Sequence, residues 1–390
     1  MKLPIYLDNH ATTSLDSRVL EAMLPYLNEH YGNPASNHTF GWVADEAVEQ
    51  ARIQIASAIN SRENEIVFTS GATESDNLAL KGVAYSLQSQ GNHMVTAATE
   101  HPAILDSCRH LERQGFRVTC LGVDSDGLID PEELRQALTD QTILVSIMLA
   151  NNETGVIQPI SEIGMICREK GVLFHTDAAQ AFGRIPMDVA HLNVDLASIT
   201  AHKVYGPKGI AALYVRKRRP RIKLESMIDG GGQEKGLRSG TLNVPGIVGF
   251  GAAAAIARDC LEEESLRISN LRNSLMDQIQ GQLGQTRLNG HPTKRLPGNL
   301  NIAFDGVEGE SLLTGLNDIA ISTGAACSST VREPSHVLKA IGLTDEQAYA
   351  SVRFGLGRFT TQEEVDYTAS KVVEVVSRLR SLIAPPPIRE

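Results

Sequence analysis

The chain reads as an α/β fold: a mainly parallel seven-stranded sheet with helices on both faces, followed by a smaller α+β domain. Three features predict this. Seven short apolar runs lie between residues 65 and 215, helical patterns alternate with them, and one long helical stretch then separates them from a remainder of different pattern. Short apolar strands joined by helices are the mark of a parallel sheet buried on both sides. Ligands of such sheets collect at the carboxyl ends of the strands.

The elements follow in order. Val48, Ala51, Ile55 and Ala58 recur at helical spacing and predict an amphipathic helix. "EIVFTSG" (65–71) is a buried strand ending in Gly, and "SDNLALKGVAYSLQ" continues as a helix. "MVTAAT" (94–99) is the next strand, with a helix starting at Pro102, where a missing N–H costs nothing. "RVTCLGV" (117–123), "ILVSIML" (143–149), a helix near 161–170, "VLFHTDAA" (172–179), "DLASIT" (195–200) and "IAALYV" (210–215) complete the alternation. A helix from about 247 to 283 follows. The remainder carries a few strand-like runs and a terminal amphipathic helix, "EEVDYTASKVVEVVSRLRSLI".

Composition narrows the function. With 390 residues, 42% hydrophobic and 21% charged, the chain can bury a large core in two domains. A net charge of −10 argues against non-specific binding to nucleic acid or an anionic membrane. The basic run "RKRRPRIK" (216–223) is expected to be a solvated strand end or hairpin. The five cysteines form no CxxC pair and no zinc-ligand spacing, so neither a metal site nor a disulfide framework is expected, and a reducing cytoplasm fits. The N-terminus lacks the pattern of a signal peptide. The longest weakly polar stretch, "GIVGFGAAAAIA" (246–257), is too short to span a bilayer.

Several strand ends carry chemistry. "SGATESDN" (70–77) sits between a strand and a helix, where Gly71 permits close approach and free N–H groups favour an anion; an ordinary N-cap reads the same way. In "HTDAAQ" (175–180), Asp177 ends a buried strand and needs a cationic partner, either a turn it caps or a pyridinium nitrogen. Gln180 falls three residues on. In "TAHKVYGPKG" (200–209), Lys203 stands among Thr200, His202 and Tyr205 before a Gly-Pro turn. A lysine there is usually solvated, but in a desolvated pocket it loses its proton and attacks an aldehyde carbon. His101, in "TEHPAI", again follows a strand, and a lone histidine is more often structural than catalytic. In "SVRFGLGRFT" (351–360), alternation points Arg353 away from Val352 and Phe354, as a surface cation or as a fork for a substrate carboxylate. Finally, "STGAACSST" (322–330) sets one thiol, Cys327, among small polar residues that cannot pack a core. Together these are the parts that pyridoxal 5′-phosphate requires: a Schiff-base lysine, an acid for the ring nitrogen, a phosphate cradle and a carboxylate clamp.

"YLDNHATT", "GNPAS", "FTSGATESDNLA", "TEHPAI", "NNETGVIQPI", "HTDAAQ", "AHKVYGPKG", "RSGTLNVP", "STGAACSS" and "SVRFGLGRFT" occur in this order across nearly the whole chain. Their sequence resembles the class V aminotransferase-fold cysteine desulfurases of the NifS/IscS-like group. The resemblance implies pyridoxal-phosphate transferase fold type I, with a large domain at 16–259 and a small one from 1–15 and 260–390 that carries the Cys327 loop. It implies a homodimer with the cofactor on Lys203. Asp177 would face the ring nitrogen, His101 would stack on the ring and move protons, and Gln180 would bond the phenolic oxygen. The phosphate would rest on Ala72, Thr73, Thr200, His202 and, across the dimer, Thr241. Asn152, Arg353 and Asn33 would bind the substrate carboxylate. L-cysteine would then yield L-alanine, its sulfur passing to Cys327 as a persulfide and on to an acceptor protein, an iron–sulfur scaffold. A lyase acting on selenocysteine or on C–S bonds would share the framework without needing Cys327. The wording "STGAACSS" differs from the commoner "SSGSACTS", and "TAH" from "SGH", yet the thiol and a phosphate-binding hydroxyl remain. The spacing of Cys327 and Arg353 suits the long-loop subgroup. Cys108, Cys120 and Cys167 are expected to be inert packing residues.

Overall fold

In a computed structural model describing residues 2–323 and 333–383, the seven apolar runs form one sheet. In chain order the strands are β1 (Ile5–Tyr6), β2 (Ile66–Thr69), β3 (His93–Ala97), β4 (Arg117–Leu121), β5 (Thr142–Ser146), β6 (Leu173–Asp177), β7 (Leu196–Thr200), β8 (Ala211–Val215), β9 (Thr286–Leu288), β10 (Asn299–Phe304), β11 (Ile319–Ala320), β12 (Ser322–Thr323) and β13 (Ser351–Gly355). The helices are α1 (Ser17–Asn28), α2 (Thr39–Ala58), α3 (Ala72–Leu87), α4 (Pro102–Arg113), α5 (Pro131–Ala137), α6 (Ile160–Lys170), α7 (Val244–Gln280), α8 (Gly309–Gly315), α9 (His336–Ala340), α10 (Asp345–Tyr349) and α11 (Gln362–Ile383).

The large sheet has the order β2-β8-β7-β6-β5-β3-β4. All its pairs are parallel except those of β8, which runs antiparallel to both β2 and β7. Every residue of β3, β5, β6 and β7 is buried, which explains why these strands read as continuous apolar runs without alternation. One face packs Ile55, Phe174, Ile199 and Phe250; the other packs Leu80, Met94, Leu144 and Leu213. Local signals set the helix ends. Asp16 caps α1 by accepting from Arg18 N at 3.0 Å, Pro102 starts α4, and Gly171 ends α6 in the left-handed conformation at φ 71°. The basic run leaves β8 as an irregular segment, not a hairpin.

A four-stranded antiparallel sheet, β12-β13-β10-β9, forms a second core with the C-terminal half of α7 and with α11, through Leu271, Leu275, Ile302, Phe354 and Val372. Helix α7 extends well beyond the 12-residue apolar stretch seen in the sequence. By length and composition it could cross a membrane, but half of its most apolar window is buried inside this fold, against α1, α2 and α11.

Candidate active site

The site forms where β2, β3, β5, β6 and β7 end. Lys203 closes a short 3₁₀ turn, Ala201–Lys203, directly after β7. Distant residues pin that turn. Thr13 donates from N and Oγ1 to His202 O, both at 2.9 Å, and its Oγ1 accepts from Tyr205 N at 2.8 Å. Arg184 donates to Lys203 O at 3.0 Å. Tyr205 itself sits at φ 66°, a costly conformation for a bulky residue that these bonds hold in place. Burial pulls the Lys203 amine down to about 8; Asp177 opposes the shift, while Arg184 and Arg353 add to it. At pH 7 about a tenth of such amines are free bases.

Asp177 ends β6 and accepts from Ala179 N at 2.8 Å. Two residues earlier, His175 lies between Ser146 Oγ (2.9 Å) and Ser198 Oγ (3.0 Å), with Asp76 Oδ1 at 3.7 Å. Burial holds His175 near 3, so it is neutral. Asp76 is buried and, among the described residues, neither carboxylate oxygen meets a hydrogen-bond donor; burial with Asp177 nearby pushes it well above the usual carboxylate range. His101 caps α4, its Nδ1 accepting from Ala103 N at 3.1 Å. Burial lowers it, with Asp177 opposing. The neutral ring therefore carries its proton on Nε2. Gln180 donates through Nε2 to His10 O at 2.9 Å, leaving its second amide hydrogen free for another acceptor. Its Oε1 accepts from Arg184, whose guanidinium also donates to His10 Nδ1 at 2.6 Å and Asn9 O at 2.5 Å.

The donor set fits pyridoxal phosphate. Gly71, the N-cap of α3, gives the helix no side-chain cap, and a Cβ placed there would meet nothing within 4 Å. Open ground therefore lies before the first N–H groups of a 16-residue helix, where an anion is favoured. The one acid of that first turn, Glu74, is tied to Arg238 (2.9 Å) and to the Ser70 N–H (2.7 Å), which offsets its repulsion of a phosphate. Ala72 and Thr73 open this helix, and Thr200 is buried at the end of β7. His202, held near 4 by burial and then by Lys203, contacts Thr12 Oγ1 at 3.1 Å.

Arg353 lies on β13 with Val352 and Phe354 turned into the second core, as the alternation predicted. It donates to Asn152 O at 2.8 Å, so these two expected residues do meet. It also pairs with Asp8 and Ser322. Asn33 stands elsewhere: its Oδ1 caps its own turn through Ala35 N at 3.0 Å, and it lines a separate cavity with Arg52 and Glu234. Thr241 is exposed. Cys327 lies outside the described residues; the strand leading toward it, β12, pairs with β13 so that Ser322 sits opposite Arg353. Cys108 and Cys167 are buried and pushed up to about 12 by that burial. Cys120 corrects the sequence reading: it is exposed on edge strand β4, not packed, although partial burial still raises its thiol.

Sequence reasoning missed Asp8, His10, Asp76, His175, Arg184 and Ser322. Only Asp76 had a readable signal, since it lies four and seven residues before Leu80 and Val83 on the apolar face of α3.

A family model described as "Aminotransferase class-V" matches residues 5–368. A protein named "Cysteine desulfurase IscS" from Anaeromyxobacter sp. (strain Fw109-5) is 57% identical over 383 residues, covering 98% of this chain and 95% of that protein. One of the same name from Rickettsia bellii (strain OSU 85-389) is 53% identical over 381 residues, covering 97% and 93%. Among solved structures, a "NIFS-LIKE PROTEIN" superposes with a TM-score of 0.89 at 39% identity, over 96% of this chain and 100% of the other. "SspA in complex with cysteine" does so with a TM-score of 0.81 at 37% identity, over 92% and 100%. With its strand-end lysine, its open helix N-terminus and this likeness along almost its full length, the chain belongs to the class-V aminotransferase family, on the NifS/IscS-like branch.

Proposed function

We propose that the chain is a pyridoxal-phosphate-dependent cysteine desulfurase that converts L-cysteine to L-alanine, passing sulfur to Cys327 as a persulfide for iron–sulfur cluster assembly. The observation that carries this is the place of Lys203, in a pinned 3₁₀ turn directly after β7 and next to β6, which ends at Asp177, with burial lowering its amine. The full-length likeness to proteins named cysteine desulfurase supports the choice of substrate.

When bound, pyridoxal phosphate supplies an aldehyde carbon that captures amines and a ring that withdraws electrons from the substrate's Cα. Lys203 would hold the group and, with its amine released, would take up a proton on Nζ. Asp177 would face the ring nitrogen and keep its proton, and Gln180 would offer its spare amide hydrogen to the phenolic oxygen. His101 would move a proton through Nε2. Ala72, Thr73, Thr200 and His202 bind the phosphate, joined by Thr241 from a second copy. Arg353 and Asn152 bind the substrate carboxylate. Cys327 attacks as the thiolate: an S–S bond forms, the C–S bond breaks, its electron pair stays on carbon, and a proton completes the methyl group of alanine.

The domain division at 16–259 against 1–15 and 260–390 belongs to the same proposal, supported by two separate apolar cores. So does the homodimer, supported by the exposed apolar side chains of Leu24, Leu27, Tyr31, Phe40 and Trp42. A protein acceptor of sulfur and a cytoplasmic location complete it, the latter supported by free thiols at all four described cysteines.

Borohydride reduction followed by peptide mapping is expected to fix the cofactor on Lys203. One turnover with L-cysteine is expected to add one sulfur atom to the peptide holding Cys327. Sulfide and alanine without that adduct would instead identify a C–S lyase.

A further inference from the structure

Arg353 offers five N–H donors. NH1 donates to Asn152 O at 2.8 Å. NH2 donates to Asp8 Oδ1 at 2.8 Å and to Ser322 Oγ at 2.9 Å. Among the described residues Nε is buried without a partner. Ser322 Oγ in turn donates to Asp8 Oδ1 at 2.7 Å, closing a three-membered ring of contacts.

A carboxylate that grips a guanidinium with two parallel bonds has two ways to do so. It takes both terminal nitrogens, or it takes Nε with the terminal nitrogen on the same side, NH2. Each way needs a hydrogen from NH2. Asp8 Oδ1 and Ser322 Oγ, 2.7 Å apart, both sit on NH2, so an incoming carboxylate competes with them there. The side chains of Arg353 and Asp8 are 10% and 20% exposed, so the pair sits at the edge of water and the aspartate has a route out to solvent.

We propose that Asp8 is a resident stand-in for the substrate's carboxylate: it occupies the fork of Arg353 in the free enzyme, and an incoming amino acid binds by displacing it. The inference rests on the reading of Arg353 as the carboxylate anchor. It makes Asp8 a specificity-determining residue. The affinity for any amino acid is the difference between two carboxylates, so a ligand lacking a well-placed carboxylate cannot open the pair. The arrangement also keeps the guanidinium charge balanced and its plane fixed while the site waits.

The test is calorimetric titration of the cofactor-loaded enzyme with L-alanine and with L-alanine methyl ester. An amide in place of the carboxylate can still accept from the guanidinium, but it removes the opposing charge that a substrate carboxylate must displace. Asp8→Asn is therefore expected to tighten L-alanine about tenfold, a gain of about 1.4 kcal/mol, while leaving the methyl ester unmoved. Ser322→Ala removes one of the two competitors at NH2 with the aspartate kept, so a gain of a few-fold is expected; it decides the matter if Asp8→Asn fails to fold. Arg353→Lys is expected to weaken L-alanine. Unchanged or weaker L-alanine binding in Asp8→Asn, with Arg353→Lys impaired, overturns the stand-in but keeps Arg353 as anchor. No effect of Arg353→Lys removes the anchor itself, and the proposal with it.

Discussion

The amine of Lys203 lends itself to direct measurement. Lowered to about 8, it titrates near neutrality, where an ordinary lysine at 10.5 does not. The groups facing it are Asp177 on β6, Asp76 on α3, Arg184 after β6 and Arg353 on β13. Its free-base fraction would be about 0.09 at pH 7, 0.5 at pH 8 and 0.9 at pH 9. Trace acetylation of cofactor-free protein, read by mass spectrometry at the Lys203 peptide against a free-amine standard, should rise about fivefold between pH 7 and 8 and less than twofold between 8 and 9. An unperturbed lysine would rise about tenfold at each step. Burial is the main cause of the lowering and Arg184 adds to it: its guanidinium bonds the Lys203 carbonyl and, among the described residues, no carboxylate pairs with it. Removing that cation in Arg184→Gln should move the midpoint up by about one unit, whereas Arg184→Lys keeps a charge there and should hold the midpoint. A wild-type midpoint near 10.5 would refute the depressed amine. Coincident midpoints for wild type and Arg184→Gln would refute the role of the cation.

Three further outcomes are expected. Arg52 donates to Glu234 at 2.9 and 2.8 Å while Glu234 also accepts from Phe68 N, clamping a segment where Glu234 and Lys235 stand at φ 47° and 61°. Glu234→Ala leaves the buried Arg52 guanidinium with only Glu49 and the Ile66 carbonyl, each at 3.0 Å, and should cost about 3 kcal/mol in urea unfolding; a loss under 1 kcal/mol would contradict the clamp. His175 is buried and neutral with a folded value near 3 against about 6.5 unfolded, so the unfolded chain binds the extra proton between those values and stability falls as pH drops through that window. His175→Asn cannot take up that proton, so its stability deficit at pH 7 should narrow by about 2 kcal/mol at pH 5; a constant deficit in denaturant titrations would count against a neutral His175. Cys108 and Cys167, near 12, should resist iodoacetamide at pH 8 in the folded protein, and peptide mapping that finds them alkylated before unfolding would reverse that assignment.

Much of the architecture was legible because its signals are local. β3, β5, β6 and β7 are buried throughout and rich in apolar residues, and their runs stand out without any partner in view. The starts of α4 at Pro102 and α3 beside Gly71 follow from the same short-range rules. Helix α1 escaped because it precedes the alternation of strand and helix, and α5, between β4 and β5, because its seven residues are too few to show a helical period. Cys120 was misjudged because a cysteine in a strand reads alike on an edge and in the centre, and only the sheet order makes β4 an edge.

By itself the sequence determined the strand-and-helix alternation, the placing of Lys203, Asp177 and His101 at strand ends, and Arg353 on the polar side of its strand. Tertiary structure alone decided what those groups meet. Arg353 finds Asp8 across 345 positions, and Gln180 finds His10 across 170. Lys203 is drawn down by burial and by Arg184 and Arg353 on other elements. Periodicity and capping act within a few residues, so they are written along the chain. Burial and charge act through space, and they take their values only once distant segments are packed together.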